Sequence, residues 1–174
     1  MRIFLVLLLA VSSKLVFGQS FPKDFLGHWQ GELEWFQAGK SQKIKMQLII
    51  DRADTADQYS WQIIYGEKAE DNRPYILKPV DTTSGHWIID ERDGILLDQY
   101  WIGKRFTGAF TVQNSTIVDS YWLEGKNLVV EFYSISSKPV QTTGGTSEDV
   151  PPVDSYMMKS YQRGVLRRVI SSKQ

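Results

Sequence analysis

From Gly27 to the C-terminal region the chain is a succession of alternating runs separated by short turns. Trp29, Gly31, Leu33 and Trp35 alternate with His28, Gln30, Glu32 and Glu34. Ile44, Met46, Leu48 and Ile50 alternate with Lys43, Lys45 and Gln47, and Tyr59, Trp61, Ile63 and Tyr65 with Gln58, Ser60 and Gln62. Period two marks a strand with one buried side. Further strands are predicted at Pro74 to Val80, Gly85 to Asp90, Ile95 to Ile102, Arg105 to Val112, Thr116 to Leu123 and Leu128 to Ile135. The breaks "DTTSG", "ERDG", "IGK", "QNS" and "EGK" are turn signals of a few residues, so sequence neighbours pair antiparallel. No helical crossover interrupts the series.

Tyr156 to Ile170 fits two periods. Met157, Tyr161, Val165 and Val169 recur every four residues, as in a helix; Met157, Lys159, Tyr161, Arg163 and Val165 alternate, as in a strand. Gly164 weakens the helix, so the closing strand is the preferred reading. About ten sequential antiparallel strands would leave two long edges unless the sheet closes on itself. The fold expected is an all-β, up-and-down antiparallel β-barrel of about 8–10 strands, preceded by a short helical turn at Pro22 to Leu26. Residues 136–154, with three prolines and two glycines, read as a flexible loop, either a lid over a cavity mouth or an insertion.

Residues 1–18 have the pattern of a signal peptide: Arg2, an apolar core from Ile3 to Val11, then small Val16 and Gly18. Processing near Gly18/Gln19 would give a secreted or periplasmic protein of one domain, residues 19–174, with no transmembrane span. The sequence lacks cysteine, which excludes disulfides, thiol catalysis and thiolate metal sites. Removing Arg2 and Lys14 from 20 basic and 20 acidic residues leaves a net charge of −2. Such a balance exerts no pull on nucleic acid or anionic membranes.

In "FPKDFLGHWQGELEW", Gly27 permits a sharp entry into the first strand and Trp29 would lie across the barrel floor. This Gly-x-Trp entry after a short turn resembles the calycin superfamily, the lipocalins and fatty-acid-binding-protein-like barrels. The resemblance implies a barrel that binds a small, mostly apolar molecule. The related nitrobindins hold haem through a late histidine, but no histidine follows His86 here, and no cofactor is expected.

The chemistry-bearing residues have ordinary explanations beside special ones. His28 and His86 oppose their tryptophans and should face solvent. "DRADTAD" lacks the spacing and glycine of a calcium loop, and "EKAEDNR" reads as a soluble loop with a turn at Asp71-Asn72. Asp98 and Gln99 take opposite faces of one run, while Asp119 alternates with Ile117 and Tyr121. If those faces turn inward, Gln99 and Asp119 could meet and orient a ligand's donor group. Tyr161 and Arg163, Arg105 and Arg73 are candidate acid anchors, with surface placement the default. Asn114-Ser115-Thr116 is a glycosylation sequon, and neither a nucleophile elbow nor a phosphate loop is present.

The reading expected is a binder of a small apolar or amphipathic ligand, not an enzyme. Alternatives are a filled barrel serving as a protein-interaction or inhibitor module and, third, a barrel enzyme. The inward candidates are Leu33, Met46, Leu48, Tyr59, Trp61, Ile63, Tyr75 and Leu77 in the first half of the chain. Phe110, Tyr121, Phe132 and Met158 follow in the second half, with Gln99 and Asp119 as polar members. Tyr59, Tyr121 and Gln99 would supply orienting hydrogen bonds.

Overall fold

The computed structural model describes residues 19–69 and 71–169. Residues 1–18, where the signal peptide is expected, lie outside them, and so do Glu70 and residues 170–174.

A 3₁₀ turn, Lys23–Phe25, leads into β1 (Gly27–Gln37). There follow β2 (Lys40–Ile50), β3 (Tyr59–Tyr65), β4 (Asp71–Asp81), β5 (His86–Asp90) and β6 (Leu96–Ile102). After them come β7 (Arg105–Val112), β8 (Ser115–Glu124), β9 (Asn127–Ser136), β10 (Gln141–Thr143), β11 (Val153–Ser155) and β12 (Met158–Arg168). The barrel closes in the order β1-β12-β9-β8-β7-β6-β5-β4-β3-β2. Every neighbouring pair is antiparallel, and Trp29↔Arg168 to Phe36↔Tyr161 form the seam between first and last strand. Closure gives each of these ten strands two partners, which removes the exposed edges.

The tail is a strand, β12, so its alternation prevails over its four-residue recurrence. Gly164 is buried there beside Leu33 and Val130, where a larger residue would crowd both. Residues 136–154 are not featureless. They contribute β10, which pairs with β11 as a separate two-stranded ribbon with register Gln141↔Ser155 to Thr143↔Val153. Asp71 and Asn72 belong to β4 rather than to a turn; the reversal before them uses Gly66 and Ala69, both at positive φ.

One barrel end is sealed. Phe25 is fully buried and Trp29 Nε1 donates to its carbonyl oxygen at 2.8 Å. Phe21 stacks on Phe106 at 4.2 Å and meets the Trp87 ring edge at 5.2 Å; Trp61 lies 5.1 Å from Phe106. On the outer side the Arg168 guanidinium covers the Trp29 ring at 4.2 Å and donates to the carbonyls of Leu26 and Asp24. Gly27 has φ +127, and a Cβ there would strike the Arg168 guanidinium. Glycine at this position therefore answers both the backbone and the clamp.

Candidate functional site

The strands run alternately toward and away from the sealed end, and the β1–β2, β3–β4, β5–β6, β7–β8 and β9–β12 connections gather at the other. A cavity of ≈ 490 Å³ occupies that half of the interior. Leu33, Ile63, Ile89, Phe110, Tyr121 and Phe132 are among its walls. Asp71, Arg73, Tyr75 and Glu91, from the open ends of β4 and β5, supply a polar mouth.

Asp119 is the polar group set among the apolar walls; it is 3 % exposed and lines the cavity. The cross-strand register explains how it is held. Gln99 on β6 pairs with Gly108 on β7, and Gly108 pairs with Asp119 on β8. A Cβ on Gly108 would collide with the Gln99 amide and the Asp98 backbone carbonyl. Without one, the Gln99 side chain crosses the middle strand, and its Nε2 donates to both Asp119 oxygens at 3.0 and 3.1 Å. Gln99 is fully buried, and among the described residues its Oε1 has no partner.

Burial pushes the Asp119 carboxyl up to about 6, against the opposing effects of the Gln99 amide and the Gly108 N–H. Burial likewise raises the Tyr65 hydroxyl to about 12 and holds Tyr121 well above the usual phenol range, with the Asp119 charge adding to both. At the mouth, Arg73 Nε donates to the two Asp71 oxygens at 3.0 and 3.1 Å, and its guanidinium lies 5.1 Å from the Tyr65 ring centroid. That bond holds the Asp71 carboxyl below its ordinary range.

Of the residues expected to contact a ligand, Leu33, Ile63, Tyr75, Phe110, Asp119, Tyr121 and Phe132 line the cavity. Met46, Leu48, Trp61 and Leu77 point inward, but they are wholly buried in the packed core. Tyr59 packs against that core near Trp87 at the sealed end, so it orients nothing in the cavity. Gln99 acts on Asp119 rather than on the cavity wall. Met158 was expected inside and is 55 % exposed: the register shifts between Met158 and Ser160, so the parity of β12 does not carry to its first residue. Alternation assigns a face; it carries no information on depth along the barrel.

Tyr65 and Ile44 line the cavity and continue runs whose alternation is plain in the sequence. Arg73, one of the candidate acid anchors, lines the mouth; Asp71 and Glu91 are harder to find, because charged inward residues at strand ends break the apolar period. The other candidates lie outside. His28 pairs with Gln47 Oε1 at 2.8 Å; His86 pairs with Asp98 at 2.7 Å and stacks on Tyr100. The Tyr161 hydroxyl donates to Glu131 at 2.8 Å, Arg163 sits 3.6 Å from the same carboxylate, and Arg105 lies over Trp122 at 4.0 Å. Among the described residues no three His, Asp or Glu side chains converge as a metal site, and no helix is long and apolar enough to cross a membrane.

Comparison of the chain with protein-family models and with curated proteins found no match. The site's geometry therefore carries the functional argument.

Proposed function

We propose that this chain is an exported, lipocalin-like barrel that binds a small apolar or amphipathic molecule in its open half and does not transform it. The observation that carries the reading is the ≈ 490 Å³ cavity, walled by apolar side chains around a single deep carboxylate. Ligand sites have volumes of roughly 300–1,000 Å³ and a few placed polar groups in apolar walls. Apolar walls supply affinity at about 25 cal/mol per Å² of area withdrawn from water, and Asp119 and Tyr121 supply orientation. What supports the calycin resemblance is the Gly27-x-Trp29 entry, with its 3₁₀ turn, at the sealed end of a closed up-and-down barrel. Export rests on the signal-like pattern of residues 1–18, and N-terminal sequencing of the protein from its host should begin at Gln19.

Trp35 lines the cavity, so intrinsic fluorescence reports occupancy. Titration with a panel of lipids and pigments should give saturable quenching at one-to-one stoichiometry. Ile63→Trp, which fills the cavity from its wall, should abolish it. Absence of saturable quenching from every class would count against a binding role, and native mass spectrometry of host-derived protein should show a copurifying small molecule.

A further inference from the structure

The reading of the cavity as a ligand site leaves the head group open, and its charges narrow the choice. Three carboxylates line the space, Asp71, Glu91 and Asp119, against one guanidinium, Arg73. Arg73 stands at the mouth and is already bonded to Asp71. Asp119, deep in the barrel, therefore has no cation beside it among the described residues. Its neighbours are the Gln99 amide and Phe132 across the strands, the Gly108 N–H, and Ile117 and Tyr121 along β8. Tyr65 is the other titratable cavity group that feels its charge.

Each carboxylate oxygen receives only one side-chain hydrogen bond, both from the same Gln99 nitrogen, so acceptor capacity remains. The Asp119 carboxylate thus offers lone pairs and a negative charge to a cavity whose lining includes Tyr121, Tyr65 and Phe132. An anionic head group placed there would face an uncompensated like charge in a low-dielectric setting. A primary ammonium brings three donors and the missing counter-charge, and aromatic walls attract it further.

We infer that the barrel takes a cationic amphiphile, an aliphatic or aromatic amine, with its ammonium group seated on the Asp119 carboxylate and its apolar part toward the mouth. The fatty acid that such a barrel shape suggests is selected against by the same carboxylate. Because burial raises Asp119 to about 6, protonation in mild acid removes the charge that holds the amine. Amine affinity should then fall with pH, while affinity for a neutral analogue stays level.

The test uses the chain from Gln19 onward and three probes with one tail: decylamine, decanol and decanoic acid, each below its aggregation threshold. Binding is read by tryptophan quenching and calorimetry at about pH 7.5 and about pH 5, on either side of the carboxyl's titration. At the higher pH decylamine should bind at least about tenfold tighter than decanol, with decanoic acid weakest. At the lower pH the amine's advantage should shrink. Asp119→Asn should bring decylamine to the level of decanol. The proposal is overturned if decanoic acid binds as tightly as decylamine, or if Asp119→Asn leaves the amine's advantage intact, which would place the ammonium at Asp71 or Glu91 instead. Should that variant fail to fold, the amine-to-alcohol ratio and its pH dependence in the unaltered protein decide alone. Binding of decanol and the acid without preference for the amine overturns this inference and leaves the binding role standing; if none of the three binds, this inference falls and the wider panel of lipids and pigments decides the binding role.

Discussion

The two halves of the barrel share their strands, their alternation and their register, yet one is solid and the other is hollow. Toward the sealed end the inward positions carry Trp29, Trp61, Trp87 and Phe106, and the 3₁₀ turn adds Phe25 from below. Trp61 meets Phe106 at 5.1 Å, and Phe21 meets Phe25 and Trp87 at 5.2 Å each, spacings at which aromatic pairs gain beyond their area. Toward the open end β4 brings Asp71 and Arg73 to the cavity, Glu91 follows β5, and β9 and β12 add Ser134 and Gln162. Charged and short polar groups stay at the wall, where water or a partner can reach them, and do not meet across the axis. The cavity is thus a consequence of what the sequence withholds from half of its inward positions, not of a different backbone.

If that contrast holds in solution, truncation should cost most at the sealed end. Trp61→Ala, at a fully buried position, is expected to lose about 3–5 kcal/mol in urea unfolding, because the surrounding rings cannot collapse into the space. A loss below about 1 kcal/mol would mean that the end described as solid is loosely packed. The next largest effect has the opposite sign. Asp119 has its carboxyl raised in the folded protein to about 6 from an ordinary 3.8. Between those values the folded state binds more protons than the unfolded one, so stability falls as pH rises through the window and the full cost is felt above about 6. Asp119→Asn keeps an acceptor for Gln99 Nε2 and offers a donor to the orphaned Gln99 Oε1. It should stabilise the empty barrel by up to about 3 kcal/mol near pH 8 and by little near pH 4. Thermal unfolding of the two proteins at both pH values checks this; a destabilised variant at pH 8 would show that Asp119 is comfortable in its site.

Much of this architecture is legible in the sequence. The strand limits fall close to those expected because glycine, asparagine and aspartate mark the turns. The meeting of Gln99 with Asp119 was also within reach of parity, since both sit on inward phases of their runs. Three things were hidden. Depth has no period, so Trp61 and Leu77 looked equivalent to Ile63 and Tyr75. The entry of β4 was masked, because Asp71 and Arg73 resemble a loop until their inward placement is known. Met158 obeyed the phase of its run and was displaced by an irregularity that no residue type announces. Gly108 did carry a signal: glycine inside a strand often marks a close approach, here that of the Gln99 side chain.

Gly108→Ala tests the join between the two halves. The added methyl must displace Gln99 or push β6 from β7, which is expected to cost about 2 kcal/mol, as overpacking commonly does. It should also free the Asp119 carboxylate from its amide donor, so the carboxyl titrates higher than in the parent protein. Carbon-13 spectroscopy of labelled aspartate reads that shift directly; an unchanged titration would mean that the bridge does not govern the charge.

The smallest effect should come from the open half. Phe110 lines the cavity and is only half-buried, so one side of its ring has no protein atoms to lose. Phe110→Ala should therefore cost no more than about 1 kcal/mol, well below the usual core value, because the space it vacates adds to an existing one. Its signature belongs in binding: a wider wall should weaken a slender ligand and admit a bulkier one. Urea unfolding of Phe110→Ala beside Trp61→Ala measures the difference between the halves on one scale. Equal losses would mean that the open half is packed as densely as the sealed one, and a barrel filled throughout can act only through its surface.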